Sequence, residues 1–318
     1  MLTTEGDVTA VSVIDTDPAV LAAASAAALH AADETWMHIA AEITAADGDY
    51  DKLLTTLRPQ GPYGYTIQPD VRPDGSVRAP ILSTREEIRV AYEQVRGESD
   101  LLRTEPMVEI RGAWYTFHEA VGTGQVKGEA EPRPGSHILA LFPVGAGQGI
   151  TGELVWPWVP TAMLGRGASA ETLEGLPGRR ALLERHDLLL GAYAAGDADA
   201  IVELFHDDLQ GGVRDYVSGS GRLIELQGKP AAAAHYRELF AIYEVLAVEL
   251  LHRVVQDWYV FAEVRVTAQR PGTAAAEAFH LAEYSVAAKD GRFVVRIGHG
   301  TDPAPTTAVR RASAPPWT

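Results

Sequence analysis

Hydrophobic positions along the chain follow two rhythms, one helical and one strand-like. Leu182, Leu183, His186, Leu189, Leu190 and Tyr193 share one helical stripe, and the stripe stops at Gly196, a residue that can take the left-handed conformation ending a helix. Asp197 follows as an N-cap and predicts a short second helix over 198–205. Residues 229–245 carry a third helical pattern. From Val254 onward the period changes to two, with β-branched and aromatic residues, which predicts strands over 247–255, 258–268, 277–287 and 292–299. The turn Lys289-Asp290-Gly291 joins the last two. Helices followed by an antiparallel meander give an α+β fold.

The chain states this order twice. Trp114, Tyr115, Phe117, Glu119 and Thr123 recur at one constant offset as Trp258, Tyr259, Phe261, Glu263 and Thr267, and Tyr92 recurs as Tyr236 at that same offset. Upstream, His38, Gly48, Asp49 and Asp51 match His186, Gly196, Asp197 and Asp199, the small change of offset being what a loop-length difference produces. A tandem duplication is therefore expected, with domains over 18–156 and 181–302. The Pro- and Gly-bearing stretch 157–180 reads as the connector, while 1–17 and the Pro-rich 303–318 read as loose ends.

Composition narrows the function. The 318 residues are 46% hydrophobic, enough for two cores. Lys plus Arg number 27 against 43 Asp plus Glu, a net charge of -16 that repels phosphate backbones and argues against a nucleic-acid partner. Cysteine is absent, so disulfides, iron–sulfur clusters, thiolate zinc sites and cysteine nucleophiles are excluded together. The first basic residue is Lys52, which leaves no positive n-region for a secretory signal and makes a cytoplasmic location the expectation. The Ala-rich run from Ala19 to Ala32, interrupted by His30, is too short for a bilayer span and predicts a soluble helix rather than a membrane contact.

Gly196-Asp197-Ala198-Asp199-Ala200, then Leu204-Phe205-His206-Asp207-Asp208, then Gly228-Lys229 opening a helix that holds His235-Tyr236, resemble the nuclear transport factor 2-like superfamily. The order looks most like the branch of SnoaL-like polyketide cyclases, ketosteroid isomerases and limonene epoxide hydrolases. His38-Ile39-Ala40-Ala41-Glu42 and Ser83-Thr84-Arg85-Glu86-Glu87-Ile88 fit the same branch in the first half. The resemblance implies two tandem cone-shaped domains, each with N-terminal helices packed on a curved, mainly antiparallel sheet around an apolar pocket. Such a fold hosts many activities, so chemistry has to be read from the residues.

Asp215 stands where ketosteroid isomerases place the carboxylate that shuttles a proton, a role helped when a dry pocket raises its pKa; its other reading is a turn aspartate in a Gly-rich loop. Glu283, eight residues before Gly291, stands where the same enzymes carry a neutral acid that donates to an oxyanion; its other reading is a salt-bridged glutamate. Glu263 and Arg265, two apart on a strand, share a face and could orient water or polarise a carbonyl. Limonene epoxide hydrolases pair arginine and aspartate at that spacing in the opposite order. His186 and His38 sit at matching places on an apolar helical stripe, where a core role and a catalytic one both stand open. In the first half Val121 replaces the arginine, Leu141 is the expected counterpart of Glu283, and Asp70 is the nearest carboxylate to the place of Asp215. His38 and Glu42 are spaced i, i+4, but Leu190 replaces Glu42 in the second half and no HExxH pattern exists, so no metal is implied.

These readings predict a cofactor-free acid/base enzyme of the dehydratase, isomerase or cyclase kind, acting on a small, largely apolar molecule with a carbonyl or hydroxyl. The second half is expected to hold the active pocket, with Asp215 as base, Glu283 as acid or oxyanion donor, Glu263 and Arg265 orienting them, and His186 beside them. An epoxide hydrolase and a non-catalytic ligand-binding or assembly module are the alternatives. The strand face Trp258, Val260, Ala262, Val264 and Val266 is too apolar to leave in water, so an intramolecular pseudo-dimer packed through it is expected, with further self-association open.

Overall fold

The computed structural model describes residues 18–45, 48, 50–67, 70–71, 77–145, 149–157, 176–273 and 275–306. Its first half runs α1 (Pro18–Thr44), α2 (Tyr50–Thr55), β1 (Gly64–Thr66), the short pair β2 (Asp70–Val71) and β3 (Val77–Arg78), α3 (Arg85–Glu98), β4 (Ser99–Arg111), β5 (Tyr115–Val126), β6 (Arg133–Pro143) and β7 (Gly152–Pro157). The second half runs α4 (Gly178–Ala195), α5 (Ala198–Glu203), β8 (Phe205–Arg214), β9 (Leu223–Gln227), α6 (Gly228–Ile242), β10 (Glu244–Val255), β11 (Tyr259–Gln269), β12 (Ala276–Ala287), β13 (Phe293–Gly300) and β14 (Ala304–Thr306). This is the α+β order expected from the change of period.

Local chemistry sets the element ends. Thr84 and Glu87 form a reciprocal capping box that starts α3. Gly196 ends α4 at φ 66°, where a side chain would be strained, and the Asp197 carboxylate then accepts from the Ala200 amide at 2.9 Å to start α5.

The two sheets are built alike. One runs β1-β7-β6-β5-β4; the other runs β10-β11-β12-β13-β8-β9, with β14 added beside β12. Read from opposite ends, β4 to β7 correspond to β10 to β13, and the single parallel pair of each sheet, β1 with β7 and β8 with β13, falls at the same place among the described residues. Two chain-end expectations are corrected. Residues 304–306 are not part of a loose tail: β14 pairs Ala304, Pro305 and Thr306 with Ala278, Glu277 and Ala276, at an edge where a proline is tolerated because its missing N–H need not reach a further strand. At the two ends of the expected connector, Pro157 belongs to β7 and residues 178–180 belong to α4. The rest of the expected connector over 158–175, and 1–17 and 307–318, lie outside the described residues. Among the described residues no helix is long and apolar enough to cross a membrane.

Each sheet turns one face to its own helices and the other to the opposite sheet. Tyr115, Phe117, Leu139, Leu141 and Trp156 meet Tyr259, Phe261, Tyr284, Val295 and Ile297 in one buried cluster. At its centre Phe117 and Phe261 stack with centroids 4.1 Å apart. The Tyr115 hydroxyl donates to Glu263 at 3.0 Å and the Tyr259 hydroxyl donates to Glu119 at 2.9 Å. These residues are related by one constant sequence offset, so the contact has the self-complementary form of a twofold interface.

The expected interface face is corrected here. Val260, Ala262 and Val264 point toward the second half's own helices, and Tyr259, Phe261 and Glu263 meet the other sheet. Trp258 alone of the expected set borders the inter-sheet cluster. The physical reason is that β11 is buried on both faces, so alternation separates two residue sets without saying which layer covers each.

Candidate active site

In the second half the cone is filled. Its cavity measures about 20 Å³, room for roughly one water. Leu189, Leu190, Tyr193, Val248 and Val264 close it, and His186 and Glu283 are the two expected site residues that line it. Glu283 forms a buried ion pair with Arg296, which also bonds the Tyr236 hydroxyl. Its carboxylate is thus committed, and the salt-bridged reading describes its place. Burial, then the charges of Arg253 and Arg296, push His186 down to about 3, so it stays neutral.

The other expected residues are not gathered there. Glu263 faces away from this cavity and accepts from Tyr115, from Trp114 at 3.3 Å and from His280 at 2.9 Å. Burial opposes its charge, but the bonds from His280 and Tyr115 outweigh it and hold Glu263 below the usual carboxylate range. Arg265 pairs with Glu249 at 2.9 Å. Asp215 lies in the loop after β8, where one oxygen accepts from the Val217 and Ser218 amides, both at 2.9 Å, and the other from the Ser218 and Ser220 hydroxyls. Partial burial raises its pKa, but these donors together lower it, which is the reverse of what a general base needs. Replacing Asp215 with Asn is therefore expected to leave any turnover unchanged and to cost about 1 kcal/mol of stability, readable by urea denaturation.

Room for a ligand exists in the first half. A cavity of about 320 Å³, at the lower end of small-molecule sites, lies between α1, α3 and the inner face of the first sheet. Small residues on β5 open it: Ala120, Gly122 and Gly124 line the wall, where the offset places Val264, Val266 and Ala268 in the second half. One helix turn on α1 brings His38 and Glu42 to the same side, and one turn on α3 does the same for Tyr92 and Arg96. Glu153 reaches in from β7 and His118 from β5.

The polar groups form one connected cluster. Arg96 donates to Glu42 Oε1 at 2.6 Å, the two side chains being 5% and 13% exposed. Tyr92 donates to Glu153 Oε2, and His38 Nε2 lies 3.2 Å from that same oxygen. Thr56 gives its hydroxyl proton to the Leu53 carbonyl at 2.6 Å, so its oxygen accepts from His38 Nδ1 at 2.6 Å. His38 Nε2 also lies 3.4 Å from the Tyr92 hydroxyl, which closes the cluster. Burial above all, then the neighbouring Glu153, pushes Glu42 up to about 7, against the pull of Arg96 and His38. A carboxyl with that pKa supplies both its acid and its base form near neutral pH.

Two of these residues, Arg96 and Glu153, carry no mark in the sequence reading, and matching the two halves by offset hid them. Strand register pairs His118 with Ala140 and Ala262 with Glu283, so Ala140, not Leu141, is the counterpart of Glu283. The same register sets Leu154 against Leu141 and Ile297 against Tyr284, which makes Glu153 the counterpart of Arg296. The charge is inverted between the halves, and Glu42 and Arg96 are matched by Leu190 and Phe240. A lone glutamate in the apolar strand Gly152-Glu153-Leu154-Val155-Trp156 was the available signal.

Comparison with known families matches a SnoaL-like domain over residues 187–296. No curated sequence matches the chain. Similar solved structures include the epoxide hydrolase/cyclase-like enzyme SalBIII of pyran ring formation in the polyether salinomycin, at 14% identity and a TM-score of 0.34, covering 40% of this chain and 97% of that one. An epoxide hydrolase from Mycobacterium tuberculosis, described as LEH-like, is 15% identical with a TM-score of 0.32, covering 39% of this chain and 84% of that one. A SnoaL-like protein from Burkholderia thailandensis is 19% identical with a TM-score of 0.30, covering 39% and 96%.

Proposed function

We propose, from the match of residues 187–296 to a SnoaL-like domain and from the cavity of the first half, that the first half carries the active site of an acid/base enzyme of the dehydratase, isomerase or cyclase kind. Its substrate is a small, largely apolar molecule bearing a carbonyl or hydroxyl, the size set by the cavity of about 320 Å³. The observation that supports this most is Glu42, a buried carboxyl near pKa 7 on the wall of that cavity. This moves the proposed site out of the second half, whose cavity is closed around the Glu283–Arg296 pair.

Each group has a task in the proposed chemistry. Ionised Glu42 takes a proton from carbon beside the substrate carbonyl and the C–H electron pair forms the enolate; Glu42 then returns its proton to carbon, or to a β-hydroxyl that departs as water while the enolate pair forms the C=C bond and the C–O bond breaks. Arg96 Nε, buried without a protein partner, is a donor for the enolate oxygen. The His38–Glu153–Tyr92 cluster positions Glu153 within the buried wall. All the proton transfers run through side chains of this chain.

Incubation in D₂O with cyclohexanone and related cyclic ketones tests this reading. The expected result is enzyme-dependent deuterium beside the carbonyl by mass spectrometry, strongly reduced in the Glu42→Gln variant. Ketones bound without exchange would support a ligand-holding module instead. Diol formed from an epoxide, with oxygen from ¹⁸O-labelled water and no ketone exchange, would support the hydrolase alternative.

A further inference from the structure

One buried polar side chain on the cavity wall is left over by this chemistry. His118 is 1% exposed, lines the cavity, and has no hydrogen-bond partner at either ring nitrogen. Its ring is held by Trp36 and Phe142, with centroids 5.2 Å and 5.7 Å away. A buried nitrogen left unpaired is costly.

The nearest charge favours one form of the ring. Nε2 lies 3.5 Å from Oε1 of Glu109, an electrostatic contact rather than a hydrogen bond, and that carboxylate accepts from Trp36 at 3.2 Å and from Arg111 at 2.8 Å. Burial works against charge on Glu109, but Arg111, Trp36 and His118 together hold its pKa below the usual range, so it is ionised. An ionised carboxylate attracts the ring proton to Nε2 and leaves the lone pair on Nδ1. Burial keeps the imidazole neutral, pushing it down to about 4 despite Glu109. In the second half the offset places Ala262 at this position, so packing the strand does not require a histidine.

We infer that His118 Nδ1 is the acceptor for a hydroxyl or N–H of the substrate, which makes the ligand class a hydroxy-ketone or amino-ketone rather than a simple ketone. The inference rests on the acid/base reading of the same cavity. Glu42 and Arg96 offer donors at the helix side, and His118 offers an acceptor on the sheet side, so the two ends of the substrate are distinguished. His118 is thereby a specificity-determining residue.

Three probes decide it: cyclohexanone, 4-hydroxycyclohexanone and 4-methoxycyclohexanone, titrated into the full chain with ¹⁵N-labelled histidine and followed by NMR. The hydroxy-ketone is expected to bind about tenfold tighter than the methoxy-ketone, the difference one hydrogen bond to a buried partner makes. The His118 Nδ1 resonance should move on its addition and stay in place with the methoxy-ketone. In the His118→Leu variant the preference should fall to about one while cyclohexanone still binds, and thermal stability should hold or rise because a buried unpaired nitrogen has been removed. His118→Gln, which keeps a side-chain acceptor, is the check should the leucine variant fold poorly, and it should retain part of the preference. Equal binding of the two substituted ketones to the wild type, or a preference that survives His118→Leu, overturns the inference and leaves the acid/base reading standing. Absence of binding and exchange with all three probes overturns both.

Discussion

Replacing Glu42 with Gln is expected to lower ketone exchange by about 10² or more, the usual contribution of a positioned general base. The same substitution should change how stability depends on pH. The carboxyl rises from 4.5 when unfolded to about 7 in the fold. Between those values the folded chain keeps the proton that the unfolded chain has released. Stabilisation from the protonated form is therefore complete below pH 4.5 and is lost as pH climbs through 7, a swing of about 3 kcal/mol. The E42Q variant mimics the protonated form and has no such swing. Whatever separates the two proteins at pH 4, denaturation at pH 8 should move the comparison in favour of E42Q by about that amount. A wild type and variant with parallel pH profiles would show that Glu42 is not buried as an acid. Loss of activity together with a gain in alkaline stability is the pattern of a residue placed for chemistry at the expense of the fold.

The second large effect is expected at the contact between the sheets. Phe261→Ala removes a fully buried ring stacked on Phe117 and should cost about 3–5 kcal/mol in chemical denaturation. Phe117→Ala should cost a similar amount, because the two rings share one environment across the pseudo-twofold. The double variant should lose clearly less than the sum, since each single change already empties half of the same contact. Strict additivity would mean that the rings stabilise their own halves separately. Next to the stack, the bonds from Tyr115 to Glu263 and from Tyr259 to Glu119 cross between the halves in both directions. Glu263 and Arg265 thus contribute through the outer face of the sheet, Glu263 by holding the two halves together and Arg265 through its pair with Glu249.

Much of the architecture is determined by sequence alone. The shift from period 3.6 to period 2, the glycine and aspartate at 196 and 197, and the turn before Gly291 define the second half's elements without reference to any distant contact, because each depends on backbone preferences within a few residues. The constant offset between Tyr115-x-Phe117-x-Glu119 and Tyr259-x-Phe261-x-Glu263 likewise aligns β5 with β11. Tertiary structure alone decided the rest. Both faces of these strands are buried, so alternation could sort residues into two sets but not assign one set to the helices and the other to the opposite sheet. Which half keeps a cavity depended on a sum of small volumes: Ala120, Gly122 and Gly124 leave space in one, while Leu189, Leu190 and Tyr193 remove it in the other. The candidate site depended on long-range register, which brings Glu153 from β7 beside His38 of α1 and Tyr92 of α3, 115 and 61 residues away along the chain. A carboxyl acquires its proton affinity from such neighbours and from burial, and neither exists until the chain has folded.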